Sequence, residues 1–505
     1  MSPETAPPTL GPAQTRRSGR SPGNKPDIPG ESGRLTPAVT GFAIAAAVGG
    51  FLFGFDTAVI NGAVTAIEGN LGLDAVGLGV VVAVTLLGAA LGALGAGWIA
   101  DRIGRPRTML AAGIVFFIAA IGCGMAHGVF DLAAWRLVTG VAVGFATVLG
   151  PLYISEIAPA HARGRLASMQ QMAIVLGIFV ALLSDSGIAW ALGGADAELF
   201  LGLPAWRWMF IAGVIPALIY LVLALVVPES PRYLVARGRV EAARRVLIRL
   251  QRVDPAEARI LTDRIEDTLQ QKESGRFRDL LDRRRGLLPV VWVGIGVAAL
   301  QALVGIDVIF YYSTSLWESV GFEESAAFGL SVLSSFINVA ATVVAIVLID
   351  RVGRRALLLT GSVGMFISLV IVSIGFSTAR MVDGSPQLDG VWGPITLVGA
   401  NLFVVAFAVS WGPVVWVLLG EMFPNRIRGV ALSVCASANW FAGVALNFSF
   451  PSLRDISLPG SYALYAVMAA LSFLLVFFCV RETNGRSLEE MHAGGGRREG
   501  EGASR

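Results

Sequence analysis

Long apolar runs alternate with short polar connections along most of this chain. About twelve runs of 18 or more residues are present, each long enough to cross roughly 30 Å of hydrocarbon as a helix. They fall near 39–63, 77–99, 108–127, 130–154, 166–190 and 205–227. After a polar interval, six more fall near 287–316, 326–349, 356–377, 391–419, 428–449 and 460–480. The expected fold class is an all-α polytopic membrane protein with twelve transmembrane helices in two six-helix halves, 38–227 and 287–480. Between the halves, 228–286 is an expected helical linker: VEAARRVLIRLQRV and PAEARILTDRIEDTLQQKE are both amphipathic at helical spacing. Residues 1–37, rich in Pro, Gly, Ser and Arg, have no apolar h-region and read as a disordered cytosolic tail rather than a signal peptide. Residues 481–505 read as a second polar tail.

Composition narrows the class. Of 505 residues 55% are hydrophobic and only 15% charged, where a soluble protein carries about a quarter charged. A net charge of +3 is too small to suggest nucleic acid. Cys123, Cys435 and Cys479 all sit inside apolar runs, so no disulfide framework or metal spacing is visible. Three histidines, none near another, remove most hydrolytic and metal chemistry. No nucleophile–base constellation is present, so an enzyme is not expected, and neither is a cofactor or a metal.

Charge placement predicts orientation. Arg102, Arg105, Arg107, Arg163, Arg165, the arginine-rich linker, Arg351, Arg354, Arg355, Arg426 and Arg428 fall on alternate connections, on the side of both tails. The other connections carry Glu68, Asp74, Asp185, Asp196, Glu198, Glu323 and Glu324. By the positive-inside rule both termini and the linker are expected in the cytosol, with the protein in the plasma (inner) membrane.

The two halves repeat. GWIADRIGRP (97–106) returns as VLIDRVGRRA (347–356), and SEIAPAHARGR (155–165) as GEMFPNRIRGV (420–430). PESPR (228–232) closes the sixth span and RETNGR (481–486) the twelfth. Parallel six-span halves are a transporter architecture, with the substrate site near the midplane between them. The charged residues of these motifs are expected to bridge helix ends and lock an inner gate. They are Asp101, Arg102, Arg105, Glu156, Arg163, Glu229 and Arg232 in the first half, and Asp350, Arg351, Arg354, Glu421 and Arg428 in the second.

The apolar, glycine-rich stretch GGFLFGFDTAVINGA (49–63) carries one carboxylate, Asp56. An ionisable group at that depth costs roughly 2.5–3.5 kcal/mol on insertion scales and marks a functional site; a structural ion pair, or an acid facing water at a helix end, is the competing reading. Arg136 in the fourth span is the natural partner. At 1.5 Å per residue Asp56 lies roughly 10 Å, and Arg136 roughly 9 Å, from the outer ends of their spans. Low dielectric disfavours a charged carboxylate and a nearby cation favours it, the kind of balance a proton carrier needs.

GFLFGFDTAVINGA, DRIGRP, PLYISEIAPAHARGR, PESPRYL, DRVGRR, SWGPVVWVLLGEMFPNRIRG and ETNGRSLEE stand in one order over residues 40–490. In this the chain resembles the sugar porter family of the major facilitator superfamily. The resemblance implies transport of a hexose, pentose or polyol by alternating access, proton-coupled or facilitative, and a linker bundle that braces the inner gate. Asp56 matches the carboxylate that takes the proton in proton-coupled members, and Arg136 matches their arginine on span four. A xylose-transporting member has a glutamate on span six where this chain has Gly213. Gln171, Gln301, Asn338 and Asn439 match amides that contact or surround the sugar. Amides suit it because each offers donors and acceptors; a bond between helices is the competing role. Trp416 matches a tryptophan that packs on the sugar ring, and Tyr311 and Trp440 match cavity aromatics. Trp411 is left to lipid or packing. Ala302 and Asp307 depart from the family's amides on span seven, and Ile178 from a glutamine of the xylose-transporting member on span five. Asp307 is expected to accept from a sugar hydroxyl; a second titrating group and a wetted residue near the outer gate are its other readings. Pro413 and Gly305 mark expected helix breaks.

The leading expectation is a proton–monosaccharide symporter working as a monomer in the lipid bilayer. A facilitator of the same fold is the nearest competitor. A drug–proton antiporter lacks support because the fifth span, QQMAIVLGIFVALL, holds no proline. A sugar sensor usually needs a longer tail.

Overall fold

A computed structural model describes residues 35–159, 162–198, 202–270, 277–282, 286–318, 320–382, 385–388, 390–424 and 427–483. The expected tails fall largely outside these residues. The described chain is almost wholly helical, and eleven of its helical segments are long and apolar enough to cross a membrane.

The first half begins with α1 (Pro37–Leu71), α2 (Ala75–Ile103), α3 (Arg105–Met125), α4 (Val129–Ile157) and α5 (Arg163–Leu192). Thr36 caps α1, its hydroxyl accepting from Val39 N–H at 3.2 Å, and Pro37 supplies the first helical residue, where no N–H is needed. Asp74 caps α2 in the same way. α1 runs about two turns past the expected end at 63. The sixth span is two pieces, α6 (Ala205–Ala212) and α7 (Val214–Val226), divided at Gly213. Small residues let backbones touch: a Cβ at Gly140 of α4 would strike the Thr85 carbonyl of α2, and one at Gly54 of α1 the Ile174 carbonyl of α5.

The linker folds as α8 (Pro231–Ala236), α9 (Val240–Gln251) and α10 (Pro255–Gln270), with Leu234, Val235, Ala243, Leu247 and Ala258 buried among them. A short antiparallel pair, β1 (Leu281–Asp282) and β2 (Gly286–Leu287), follows.

The second half is α11 (Pro289–Leu303), α12 (Ile306–Glu318), α13 (Glu324–Val352), α14 (Arg354–Ser377), the small hairpin β3 (Arg380–Val382) and β4 (Ser385–Gln387), α15 (Trp392–Val409), α16 (Trp411–Met422) and α17 (Arg428–Cys479). At 52 residues α17 is roughly 78 Å long, more than twice the hydrocarbon thickness, so it carries the last two spans. The chain bends at Ser457 (φ −167°, ψ 103°), just before Pro459, and residues 450–459 are largely helical where a plain loop was expected.

Spans seven and ten are broken. Gly305, at φ +92°, separates α11 from α12; only glycine takes that backbone readily, and a Cβ there would lie 2.7 Å from the Tyr465 ring. The span-ten break is at Ser410 (φ −125°, ψ −82°) rather than Pro413. Pro413 falls in the first turn of α16, where a missing N–H removes no intrahelical bond.

Across the halves α1 packs on α12, α5 on α13 and α2 on α17. The connections rich in arginine define one face of the bundle; Glu68, Asp74, Asp196 and Glu324 lie toward the other, the acidic face. Asp185 is a correction: it belongs to no connection but lies inside α5, fully buried against Gly62 of α1.

Candidate functional site

α1 and α4 bring Asp56 and Arg136 together. Arg136 Nη1 donates to Asp56 Oδ1 at 2.9 Å, with the two side chains 0% and 6% exposed. The guanidinium carbon stands 5.7 Å from the centre of the Phe210 ring. Arg136 Nε and Nη2 make no hydrogen bond among the described residues. The pair is therefore one bond wide, not the bidentate fork an arginine can form. A cavity of about 10 Å³ touches Asp56, Cys123 and Gly213. It has room for about one water, which rules it out as a monosaccharide site.

Three of the four expected amides are in the second half, Gln171 being on α5 of the first, and two of the three bond to each other. Gln301 Nε2 donates to the carbonyls of Trp411 (2.9 Å) and Gly412 (3.2 Å), the first residues after the span-ten break. Asn439 Nδ2 donates to Gln301 Oε1 (3.1 Å) and to the Ala298 carbonyl (2.8 Å). One amide cluster thus joins α11, α16 and α17, its Gln301 donating a further bond to carbonyls in the first turn of α16. Gln301 serves as an inter-helix tie in this structure, the competing role for these amides. Asn338 is buried and Gln171 half-buried, and neither side chain is hydrogen-bonded within the described chain. Gln170, the neighbour not singled out from sequence, is the buried one, wedged between Gly50 and Gly150.

The aromatics separate into two kinds. Trp416 is 37% exposed. Trp440 meets Phe53 of α1 edge-on, with centroids 5.5 Å apart, so it bridges the two halves. Trp411 is packing: it is fully buried, and its Nε1–H donates to the Leu358 carbonyl (3.1 Å) and Ser362 Oγ (3.0 Å).

Asp307 lies in the first turn of α12, half-buried, where a helix N-terminus favours a carboxylate. Its carboxylate faces α17, 3.5 Å from where a Cβ on Gly443 would stand. Tyr311, one turn on, donates to Thr57 Oγ1 of α1 at 3.5 Å. Beyond it Asn61 clasps the same helix: Nδ2 donates to Ser313 Oγ (2.7 Å) and the Phe310 carbonyl (3.3 Å), and Oδ1 accepts from Thr314 N–H (2.9 Å). Further toward the acidic face Thr65 donates to Glu318 (2.7 Å), Ala195 N–H to Glu324 (2.8 Å), and Arg454 pairs with Glu68 at 3.6 Å. Among the described residues every hydrogen bond and ion pair between the halves runs from Thr57 toward the acidic face. The structure is closed on that side. Asn61 escaped the sequence reading because a lone amide in an apolar run gives no sign of the three groups it will meet.

At the arginine-rich face the repeated motifs form matching clusters. Arg105 donates through Nε and Nη2 to both oxygens of Glu156 (2.9 and 2.8 Å) and reaches Asp101 at 2.9 Å. Its backbone N–H donates to Glu229 Oε1 at 3.0 Å. In the other half Arg354 donates to both oxygens of Glu421 (3.2 and 3.0 Å), and its backbone N–H to Glu482 Oε1 at 3.0 Å. Gly104 and Gly353 precede the arginines at φ +100° and +94°; a Cβ at either would press into the glutamate behind it. Burial pushes the Glu229 carboxyl above the ordinary glutamate value, while the N–H groups of Arg105 and Ser230 pull it down. The other motif residues stand apart. Arg102 lies 3.7 Å over the Trp98 ring, and Arg351 is exposed. Arg428 donates to the Phe423 carbonyl, and Arg232 makes no ion pair among the described residues. The side chains of Arg163 and Asp350, and residue 426, lie outside what the structure describes. Glu482, in the RETNGR motif, was not among the expected gate residues.

Twelve spans in two repeated halves that pack against each other, with matched charge clusters at one face, define a polytopic transporter of the major facilitator fold. A solved structure of a major facilitator proton:xylose symporter bound to 6-bromo-6-deoxy-D-glucose superposes with a TM-score of 0.73 at 31% identity, covering 90% of this chain and 98% of that one. The chain belongs to the family described as "Sugar (and other) transporter", whose model matches residues 42–494, and is therefore a transporter and not an enzyme. It is 51% identical over 448 residues to a glucose transport protein of Synechocystis, covering 88% of this chain and 95% of the relative. It is 33% identical over 483 residues to the D-xylose-proton symporter of Escherichia coli K12, covering 89% and 94%.

Proposed function

We propose that this protein is a proton-coupled symporter of a monosaccharide, a hexose or pentose, working by alternating access as a monomer. Both tails and the linker are in the cytosol and the acidic face looks outward from the plasma membrane. The observation that carries the reading is the buried Asp56–Arg136 pair, one hydrogen bond wide, on a helix that also holds the closure of the acidic face. Asp56 is followed by Thr57 and Asn61, both bonded to α12. Protonation of Asp56 removes the charge that holds α1 to α4. Re-formation of the pair draws α1 back. The same helix thereby links proton occupancy to the clasp at Asn61. The sugar binds in the cleft, against Trp416 and Trp440 and the amides Gln171, Gln301, Asn338 and Asn439, with Asp307 and Tyr311 at its outer end. The clusters around Arg105 and Arg354 act as the inner gate. Relatives whose names give glucose and xylose transport support the substrate class.

The test is uptake of a sugar panel into proteoliposomes with and without an imposed proton gradient. One proton moved through ~150 mV contributes about 3.5 kcal/mol, roughly 300-fold accumulation at one proton per sugar. Asp56→Asn is expected to abolish accumulation and keep sugar exchange. A variant that still concentrates sugar removes Asp56 from the proton path. Wild-type uptake indifferent to the gradient makes the protein a facilitator.

A further inference from the structure

A groove of about 310 Å³ opens on the outer surface of the first half, at the arginine-rich face. This volume lies within the range of small-molecule pockets, ~300–1,000 Å³. Its walls are the first turns of α1 (Ala38, Gly41, Phe42) and the end of α7 (Leu223, Val226), and Arg249 and Leu250 of α9 close it. α9 is fixed there from two sides. The Thr36 hydroxyl donates to the Leu250 carbonyl, and Gln251 Nε2 donates to the Ile157 carbonyl at 3.0 Å.

All the lining residues but one are apolar. On a membrane-spanning surface such a groove is filled by an acyl chain, because water covers apolar surface at a cost and a polar loop would leave backbone groups unsatisfied. The exception is Arg249. It is exposed, and among the described residues no carboxylate pairs with it. Arg244 on the same helix is taken by Glu241. Arg245 and Arg252, also exposed, add positive charge beside the groove mouth. No acidic side chain lines the groove to receive a choline or ammonium group. The surface therefore matches an amphiphile with one apolar arm and a net-negative head.

We infer that the groove is a binding site for an anionic phospholipid, its acyl chain along α1 and α7 and its headgroup phosphate on Arg249. A lipid held there touches both the membrane half and the linker bundle and braces one against the other. This site is separate from the cleft and independent of what the cleft carries.

Native mass spectrometry of the full-length protein tests it, after exchange into mixed micelles with equal palmitoyl-oleoyl phosphatidylglycerol and phosphatidylcholine. Wild type is expected to retain phosphatidylglycerol in preference. Arg249→Gln should cut that preference about five-fold, the worth of one basic residue at an anionic surface, and Arg249→Lys should keep most of it. Gly41→Leu places its side chain where an added Cβ meets nothing within 4 Å, fills the groove, and should lower retention of both lipids. Arg245→Gln, outside the lining, should change the preference less than two-fold. Equal retention of the two lipids by wild type overturns the site. So does an unchanged preference in Arg249→Gln. A loss as large in Arg245→Gln as in Arg249→Gln would place the lipid on the general basic surface instead of in the groove. Full retention by Gly41→Leu would do the same. Melting temperatures of the variants in the same micelles separate lost binding from lost fold.

Discussion

In the first half Arg105 takes Glu156 with its guanidinium and Glu229 with its backbone N–H; in the second, Arg354 does the same with Glu421 and Glu482. The bonding is repeated almost atom for atom, but the environment is not. The Arg105 and Glu156 side chains are 5% and 3% exposed, whereas Arg354 and Glu421 are 10% and 32% exposed. Water screens the second cluster and leaves the first in low dielectric, so equal geometry does not mean equal energy. The interiors differ further. The first half buries the Asp56–Arg136 pair; the second has an amide cluster that ties α11 to α16 and α17. The repeat preserves the charge clusters at the helix ends and not the polar groups between the helices.

The largest effect that would sharpen this contrast is at Glu156. Glu156→Gln removes the carboxylate that takes both arms of the buried Arg105 guanidinium and leaves it the exposed Asp101 as its ion-pair partner, and breaking a buried pair costs about 3 kcal/mol or more. Glu421→Gln, at a screened site where Thr483 Oγ1 also bonds the carboxylate, should cost about 1 kcal/mol or less. Melting temperatures of the two variants in one detergent compare them directly. Equal shifts would mean that burial does not distinguish the clusters.

Next is Gln301→Ala, which removes the partner of two carbonyls and of Asn439. Lost bonds of this kind cost about 1–3 kcal/mol. Because these bonds are inter-helix ties, melting temperature should fall together with sugar affinity. A fall in affinity alone, about 5- to 150-fold, would make Gln301 a pure ligand contact that lets go of α16 when sugar binds.

A smaller effect is expected at Asp307. Asp307→Asn keeps the shape and exchanges a carboxylate oxygen for an amide donor, so the ranking of sugars differing at one hydroxyl should change while proton-driven accumulation persists. Competition against a labelled sugar measures it. An unchanged ranking takes Asp307 out of the sugar site; lost accumulation with an unchanged ranking moves it to the proton path.

The smallest is at Glu229. Its carboxyl is raised above 4.5 in the folded protein, so the folded state holds this proton at a higher pH than the unfolded chain does. The group's contribution to stability is therefore largest below 4.5 and is lost as pH rises through the folded value. Glu229→Gln keeps an oxygen for the Arg105 and Ser230 N–H groups and removes that slope. A wild-type melting profile between pH 4 and 8 no steeper than the variant's would contradict this assignment.

By itself the sequence determined the spans, the repeat and the membrane environment, because hydrophobic length and the placement of Arg and Asp are properties of the chain read locally. It also determined that Asp56 and Arg136 lie at compatible depths. What it left open were the features that depend on which side chain meets which. The Asp185 carboxylate reads as a loop acid until α1 and α5 close over it. Pro413 reads as a break until the chain turns at Ser410 and places the proline in a first turn. Residues 450–459 read as a loop until they are seen to continue α17. Gln301 offers the same donors and acceptors to a sugar as to a carbonyl, and only the packing of α11 against α16 and α17 decides which it meets here. Asn61 gains its three partners from a helix some 250 positions away. Local patterns fix where helices lie in a bilayer; the pairing of polar groups between helices is set by their mutual rotation and offset, which tertiary packing alone decides.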